Sequence, residues 1–383
     1  MGIYMDYNAS APVDERVLNT MVSIYKNAYG NSDSRTHDYG EIARKVVEDA
    51  RGKVASILSI NKDEVYFTSG ATESNNIVFQ GIKKYAIKEG KKHIITTSIE
   101  HKAVLETAKY MQNEGFEVDF LDPDDSGRIS FEKIKKLVRE DTLLISVMHV
   151  NNETGIIQPV REIGEYLKDK NIFFHVDATQ SFGKLVKELK EIKYSMLSIS
   201  AHKLGGPQGI GALILRKQRY NMLPVKGIMY GGQQEHGIRP GTVPVALVAG
   251  LGKACELAEQ EYIKNSVKCI EIKKRLIGIL EQSGLKYGFN GDQNYCIPNT
   301  LNIFIEGVSS EALMLSSKQF CGVSNGSACN SKSYEPSYVL KAMGISNDKI
   351  DNSIRISWGP ELDIREAEDS FSYLVEIAKG LVF

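Results

Sequence analysis

Residues 142–178 read "TLLISVMHVNNETGIIQPVREIGEYLKDKNIFFHVDA". Two runs of apolar and β-branched residues, 142–150 and 172–178, enclose a segment at 160–169 with helical periodicity. A strand, a helix and a second strand in this order are typical of two parallel strands joined by a crossover helix. The stretch therefore predicts an α/β fold built on a parallel sheet.

The same alternation extends over the first two thirds of the chain. Five more strands are predicted at 64–69, 93–98, 116–121, 195–201 and 211–217, and further helical patterns at 74–88, 102–114 and 130–139. Continuously apolar strands between helices indicate a largely parallel sheet covered on both faces. We therefore expect a large α/β domain at 14–255, with a mostly parallel seven-stranded sheet covered by helices.

The remaining third has shorter elements. A long helical pattern at 243–282 is followed by two predicted strands, 300–305 and 353–358. Helical segments alternate with them near 309–319, 336–343 and 364–379. This pattern predicts a smaller α+β domain, for which we expect residues 1–13 together with 256–383.

Composition and charge narrow the classes of partner. The 383 residues are 42% hydrophobic and 25% charged, with a formal net charge of -1. This balance is ordinary for a globular protein and gives no electrostatic footprint for nucleic acid or anionic lipid. The start "MGIYMDYNAS" lacks a basic segment followed by an apolar run, and no apolar stretch of about 18 residues occurs. We expect a cytoplasmic protein with a small-molecule or protein partner, no membrane and no direct nucleic-acid binding.

The cysteines are sparse, odd in number and never spaced C-x-x-C, so they predict neither a disulfide framework nor a metal site. Four of them, Cys255, Cys269, Cys296 and Cys321, need no function, and all but Cys296 read as reduced core thiols. Cys329 differs, because "SNGSACNS" (324–331) surrounds it with small or polar residues that cannot shield its sulfur. The sequence therefore predicts that the thiol of Cys329 is accessible rather than buried in a core.

Polar residues follow several predicted strands, where open α/β sheets bind their ligands. In "YFTSGATESNN" (66–76) a strand ends at Ser69 and Gly70, and a helix starts at Ala71 and Thr72. The free backbone N–H groups of such a helix start can bind a phosphate. An ordinary capped helix explains the same pattern.

Two further strand ends carry a carboxylate and a lysine. Asp177 in "FFHVDATQS" (173–181) follows an apolar run and needs a cationic partner, such as a protonated pyridine nitrogen, although a helix cap or an ion pair would also explain it. Lys203 in "SISAHKLGGPQGIG" (198–211) is a candidate Schiff-base former, or else a lysine that extends to solvent. A phosphate cradle, an acid and a lysine together favour pyridoxal 5'-phosphate as cofactor.

The sequence also resembles a known family, the cysteine desulfurases of the NifS and IscS type. These are class V aminotransferases with the aspartate-aminotransferase fold of fold type I pyridoxal-phosphate enzymes. The resemblance covers nearly the whole chain. It is carried by "YMDYNASAP" (4–12), "YGNSDSRTHDYG" (29–40), "FTSGATESNN" (67–76), "EHKAV" (100–104), "HVNNETG" (149–155), "HVDATQS" (175–181), "AHKLGGPQGIGAL" (201–213), "RPGT" (239–242), "SNGSACNS" (324–331), "EPSYVLKAMG" (335–344) and "SIRISWG" (353–359).

The resemblance implies a role for each matching residue. Lys203 would form the Schiff base with the cofactor, Asp177 would pair with the pyridine nitrogen and Gln180 would contact the ring hydroxyl. His101 would stack on the ring and take part in proton transfer. The phosphate would be bound by Ala71, Thr72, Ser200 and His202, and by Thr242 from the other subunit of a homodimer. Asn152 and Arg355 would hold L-cysteine, and a guanidinium fits an amino-acid carboxylate bidentately.

For Cys329 the resemblance implies the role of nucleophile. It would take the sulfur of L-cysteine as a persulfide, leave L-alanine, and pass the sulfur to an acceptor protein. A loop of small residues, about 322–335, would give the thiol reach. The acceptor would serve iron–sulfur cluster assembly or the thiolation of transfer RNA, a cofactor or DNA, and the sequence does not distinguish these.

Some positions depart from the family pattern, and other functions stay open. Two threonines are common in the family where this chain has Ser10 and Ala11, a proline where it has Ser32, and a lysine where it has Gln208. None of these changes removes a catalytic group. A selenocysteine lyase or an aminotransferase of the same fold is an alternative, because fold and cofactor do not fix the reaction. A catalytically silent sulfur-transfer scaffold is another.

Overall fold

The computed structural model describes residues 2–217, 222–326 and 336–382. Cys329, and most of the expected loop at 322–335 that carries it, lie outside the described residues. Among the described helices, none is both long and apolar enough to cross a membrane.

The central feature is a seven-stranded sheet. Every strand predicted at 64–217 is present in it, within a few residues of the expected bounds. The strands are β2 (Val65–Thr68), β3 (His93–Thr97), β4 (Glu117–Leu121), β5 (Thr142–Met148), β6 (Phe173–Asp177), β7 (Met196–Ser200) and β8 (Gly211–Leu215).

The strand order is β2-β8-β7-β6-β5-β3-β4, and most neighbours are parallel. Asp177 on β6, for example, is in register with Met148 on β5 and with Ser198 on β7. Only β8 runs antiparallel to its neighbours, β7 and β2. The carboxyl ends of the other six strands therefore lie at one edge, which confirms the predicted mostly parallel α/β sheet.

Helices cover both faces of this sheet. Ile145 and Val147 of β5 pack into one apolar cluster, while Leu144 packs into a separate cluster on the opposite face. The helices up to residue 191 are α1 (Glu15–Asn27), α2 (Asp38–Leu58), α3 (Ala71–Gly81), α4 (Lys83–Glu89), α5 (Lys102–Asn113), α6 (Phe131–Leu137), α7 (Val160–Leu167) and α8 (Val186–Glu191).

The helical pattern at 74–88 forms two helices rather than one. Helix α3 ends at Gly81, and α4 begins at Lys83. The carbonyl of Gly81 accepts a hydrogen bond from the backbone N–H of Lys226 at 3.0 Å. A Cβ atom at Gly81 would lie 2.6 Å from the Lys226 carbonyl oxygen, so a glycine is required for this close approach.

The C-terminal third surrounds a second, smaller core. Strand β10 (Thr300–Ile305) pairs antiparallel with β9 (Tyr287–Phe289) and with β12 (Ser353–Ser357). Near the N-terminus, β1 (Ile3–Tyr4) pairs with β11 (Cys321–Gly322), so the start of the chain packs against this region. The helices here are α9 (Val245–Gln282), α10 (Ser310–Ser317), α11 (Tyr338–Ala342), α12 (Asn347–Asp351) and α13 (Ile364–Gly380). The boundaries 14–255 and 256–383 stay a prediction.

Candidate active site

A cleft of about 500 Å³ opens at the carboxyl edge of the large sheet. The turns that follow β2, β3, β5, β6 and β7 all contribute to its wall, as expected for parallel strands that end at one edge. Arg355 of β12 enters it from the smaller sheet. The site residues predicted from the sequence that line it are Ala71, Thr72, His101, Asn152, Asp177, Gln180, Ser200, His202, Lys203 and Arg355.

The turn between β2 and α3 has the shape of an anion site. Helix α3 starts at Ala71, so the N–H groups of Ala71 and Thr72 belong to its first turn and have no acceptor within the helix. Gly70 before them has φ +149°, a conformation that favours glycine. A Cβ atom on Gly211 would lie 2.7 Å from the Cα of Gly70, so the neighbouring strand also needs a glycine. The first-turn N–H groups of α3 thus face the cleft wall at a turn suited to an anion, and phosphate binding there stays a prediction.

Lys203 ends a short 3-10 turn, Ala201–Lys203, directly after β7. Its Nζ donates to the backbone carbonyls of Asn8 at 2.5 Å and Ala9 at 2.7 Å. The N-terminal segment thus holds the lysine at the wall of the cleft. The adjacent His202 contacts Ser10 through Nδ1 at 3.3 Å, and burial lowers the pKa of His202 to about 4.

Asp177 is the last residue of β6 and is buried. Its Oδ2 accepts from the Nδ2 of Asn75 at 2.8 Å, and its Oδ1 accepts from the N–H of Thr179 at 3.0 Å. On the same face of the strand, burial lowers the pKa of His175 to about 4. That ring is neutral at pH 7 and does not neutralise Asp177. Asp177 thus remains suited to a cationic ring nitrogen in the cleft.

His101 caps α5, and its Nδ1 accepts from the N–H of Ala103 at 3.1 Å. Burial lowers the pKa of His101, and the nearby Lys203 lowers it further, whereas Asp177 opposes this effect. The ring is therefore neutral at pH 7. With Nδ1 acting as an acceptor, the proton is on Nε2, which makes Nε2–H the donor.

Arg355 lies at the cleft with almost no solvent exposure. Its Nη2 forms a 2.6 Å ion pair with Asp6, and its Nη1 donates to the carbonyl of Asn152 at 3.0 Å. Among the described residues, the buried Arg355 Nε and Asn152 Oδ1 have no hydrogen-bond partner. A donor and an acceptor left open at one place are suited to an α-amino acid, which presents a carboxylate and an ammonium group.

Two predicted site residues are not among those that line this cleft. Thr242 is exposed and does not line the cleft of its own chain. The other, Cys329, lies outside the described residues, and of its neighbours in the sequence Gly326 is described and lines the cleft.

Several contributing residues were not predicted from the sequence. Asn75 holds Asp177, Asp6 holds Arg355, and the carbonyls of Asn8 and Ala9 hold Lys203. Only Asn75 left a usable signal, because it is a polar residue two positions before the apolar Ile77 and Val78 of α3. A buried amide at such a position requires a partner.

Comparison with known proteins agrees with this geometry. The family model for aminotransferase class-V matches residues 3–368. The chain belongs to the aminotransferase class-V family. It is 42% identical over 360 residues to a protein of Vibrio cholerae serotype O1 (strain M66-2) named cysteine desulfurase IscS, covering 93% of this chain and 88% of that one.

Solved structures extend the similarity to the whole fold. A NifS-like protein superposes with a TM-score of 0.91 and 35% identity, covering 100% of both chains. DndA from Streptomyces lividans gives a TM-score of 0.81 and 42% identity, covering 92% of this chain and 98% of that chain. Membership of this class-V family makes the chain a pyridoxal-phosphate-dependent enzyme.

The residues of this class-V enzyme fit the cofactor. A lysine amine, a buried carboxylate and an open helix N-terminus surround one cleft. Within the described chain, the buried Thr179 Oγ1 and Gln180 Oε1 at the cleft wall also lack hydrogen-bond partners. Buried polar atoms are rarely left unpaired, so these atoms are available to a polar ligand such as the cofactor.

Proposed function

We propose that this cleft converts L-cysteine to L-alanine, with transfer of the sulfur to Cys329. The observation that supports it most directly is the convergence of Lys203, Asp177 and Arg355 on one cleft whose wall includes Gly326. The names of the similar proteins, cysteine desulfurase IscS among them, point to the same reaction.

Cofactor binding would be divided among the strand ends. Ala71, Thr72, Ser200 and His202 would hold the phosphate, Asp177 would keep the pyridine nitrogen protonated, and Gln180 would contact the ring hydroxyl. Lys203 Nζ would form the covalent link. Bound in this way, pyridoxal phosphate supplies an electron sink for negative charge that develops at the substrate Cα.

Substrate binding would use the open polar atoms on the other side of the cleft. The carboxylate of L-cysteine would bind the guanidinium of Arg355, whose orientation is fixed by Asp6 and by the carbonyl of Asn152. Asn152 Oδ1 would accept from the substrate. His101 would cover the cofactor ring and donate from Nε2, and Lys203 Nζ would take the Cα proton once it is free of the cofactor.

Cys329 would act as a thiolate on the sulfur of the substrate. A bond between Cys329 Sγ and the substrate sulfur would form while the bond between that sulfur and Cβ breaks. The electron pair of the broken bond would go to carbon and Cβ would take up a proton, which leaves L-alanine and a persulfide on Cys329. The other four cysteines are unsuited to this step because burial raises the pKa of each thiol, to about 12 for Cys269 and Cys321. An acceptor protein would then remove the sulfur.

A homodimer and a cytoplasmic location belong to the same proposal. Thr242 is exposed on its own chain, which suits a residue that reaches the phosphate of the partner subunit. Tyr230, near it in sequence, is 99% exposed, and so large an exposed aromatic is typical of a contact surface. Sedimentation of the cofactor-loaded protein tests the dimer, and a fully loaded monomer would contradict it.

The reaction is tested with L-cysteine, a thiol reductant and three proteins: wild type, Cys329→Ala and Cys296→Ser. We expect equal sulfide and alanine from the wild type and no sulfide from Cys329→Ala, with the visible absorption of the bound cofactor unchanged. Cys296→Ser is the matched control and should keep activity. Full sulfide release by Cys329→Ala would reject the proposal in favour of a lyase of this fold. A wild type that shows the visible band but releases no sulfide would favour an aminotransferase. A protein without the visible band would favour the silent scaffold.

A further inference from the structure

The loop that carries Thr242 is held to its own chain at two points, by residues that flank the phosphate-binding turn on either side. We call residues 233–243 the Thr242 loop, and residues 69–72 the phosphate turn. Each contact uses a charged side chain of the loop, Glu235 or Arg239. A small cavity of about 20 Å³ is lined by residues of the loop and of the end of β2, so the two segments lie close together.

The first contact is made by Glu235. Its carboxylate pairs with both terminal nitrogens of Arg51, at 2.7 and 2.8 Å, and accepts from the N–H of Phe67 at 2.8 Å. Arg51 also donates to the carbonyl of Val65 at 2.6 Å. Val65 and Phe67 belong to β2, the strand that leads directly into the phosphate turn. Glu235 thus joins the loop to this strand.

The backbone around Glu235 is in an unfavourable conformation. Glu235 and His236 have φ values of +48° and +54°, and Gly237 follows at +75°. Left-handed backbone is disfavoured at a residue other than glycine, because its Cβ atom crowds the neighbouring carbonyl oxygen. Two such residues in succession persist only where the surroundings fix them, and the buried carboxylate of Glu235 supplies that fixation.

The second contact is made by Arg239. Its Nε pairs with Glu73 Oε1 at 3.1 Å, while Glu73 Oε2 accepts from the N–H of Ser69 at 2.5 Å. Ser69 is the first residue of the phosphate turn. A carboxylate at this place would repel a phosphate, so the positive charge of Arg239 has an electrostatic role as well as a structural one.

We propose that Glu235 and Arg239 are positioning residues that couple the two cofactor sites of the dimer. This inference rests on the proposed dimer and on the proposed reach of Thr242 to the partner's phosphate. A phosphate bound at one turn orders that turn, the two contacts transmit the order to the Thr242 loop, and Thr242 is then placed for the partner subunit's site. Loading of one site therefore favours loading of the other.

Mixed dimers test the proposal. One chain keeps Lys203 and gives the visible band of the bound cofactor, and the other carries Lys203→Ala and gives none. Adding Arg239→Gln to the Lys203→Ala chain tests its effect across the interface. Adding it to the other chain tests its effect within one chain. The readout is the dissociation constant for pyridoxal phosphate, from titration of the visible band.

We expect Arg239→Gln to raise this constant by roughly tenfold in either position, as for the loss of one charged hydrogen bond. Glu235→Gln, a second and independent variant, should act in the same direction across the interface. Arg216→Gln is the matched control. Arg216 forms an ion pair with Glu64, with 3.2 Å between Nε and Oε1, and neither residue belongs to the phosphate turn or to the Thr242 loop. This variant should leave the dissociation constant for pyridoxal phosphate unchanged.

Two unfavourable outcomes are distinguishable. If Arg239→Gln and Glu235→Gln act only within their own chain while Thr242→Ala acts across the interface, the coupling is refuted and the dimeric site stands. If Thr242→Ala has no effect across the interface, or the loaded protein is a monomer, the proposed dimeric site fails and the coupling fails with it.

Discussion

Replacing Glu100 with glutamine should make the protein's stability less sensitive to alkaline pH. Glu100 is fully buried beside the cleft. Its Oε1 accepts from the N–H of Met148 at 2.8 Å and from Thr97 Oγ1 at 2.9 Å. Its Oε2 has no partner among the described residues. Burial raises the pKa of Glu100 from 4.5 to about 8, and the nearby charge of Asp177 adds to this effect.

The sign and size of the effect follow from proton linkage. Because the folded pKa is above the unfolded one, the folded state binds the proton more tightly, and this stabilisation is complete below pH 4.5. It is lost as the pH rises through about 8. Between pH 6 and 9 the loss is about 3 kcal/mol, at about 1.4 kcal/mol per pKa unit. Glutamine does not titrate and should not show this loss.

The assay is equilibrium unfolding of the apoprotein in urea at pH 6, 7, 8 and 9. The free energy of unfolding of Glu100→Gln relative to wild type should rise by about 3 kcal/mol across this range. Glu117→Gln is the control. Lys92 and Arg139 lower the pKa of Glu117 to about 2, so this carboxylate does not titrate in the range tested. The difference in unfolding free energy between Glu117→Gln and wild type should therefore stay constant. A constant difference for Glu100→Gln as well would mean that Glu100 is already ionised at pH 6, and would refute the reasoning.

Three further predictions concern other buried groups. Burial lowers the pKa of Lys184 from 10.5 to about 8, so the folded protein holds this charge at a cost. Lys184→Met should therefore raise the free energy of unfolding in urea at pH 7 by up to about 3 kcal/mol. This gain should shrink between pH 8 and 10.5, as the wild-type amine loses its proton. Asn75→Ala removes a buried donor to Asp177 and should weaken pyridoxal-phosphate binding roughly tenfold in a visible titration. Gly211→Ala places a Cβ 2.4 Å from a backbone carbonyl oxygen and should lower the melting temperature, whereas Gly52→Ala, with nothing within 4 Å, should not.

The large sheet could be predicted because most of its strands are largely apolar and lie between helical patterns. Runs such as 142–150 carry apolar residues on both faces, and this is typical of strands buried on both sides. The antiparallel direction of β8 could not be predicted, because strand direction depends on pairing and not on composition. The short strands β1 and β11 were missed for a related reason, since two residues give no periodicity and the strands pair across 318 positions (Ile3 with Cys321).

The residues of the candidate site also fall into two groups, those that the sequence indicates and those that only the fold shows. Lys203 and Asp177 stand at strand ends beside apolar runs, where a charge is conspicuous in the sequence. Their supports come from distant segments: Asn75 is 102 positions from Asp177, and Asn8 is 195 positions from Lys203. Nothing local in the sequence distinguishes the carbonyl of Asn8 from others, and nothing near Asn75 indicates that its partner is Asp177. The candidate residues at strand ends could therefore be named from the sequence, whereas the residues that contact and orient them needed the fold.

Arg355, the proposed ligand of the substrate carboxylate, does not belong to the large sheet. The proposed cofactor residues come from the large sheet, whereas Arg355 lies on β12 of the smaller one. Its guanidinium is held by Asp6 near the N-terminus and by the carbonyl of Asn152 after β5. Asp6→Asn would weaken one of these supports without touching the phosphate turn or Lys203. In the proposed site, recognition of the substrate carboxylate would therefore depend on the packing between the two sheets, whereas cofactor binding would depend mainly on the large sheet and on the N-terminal segment that holds Lys203.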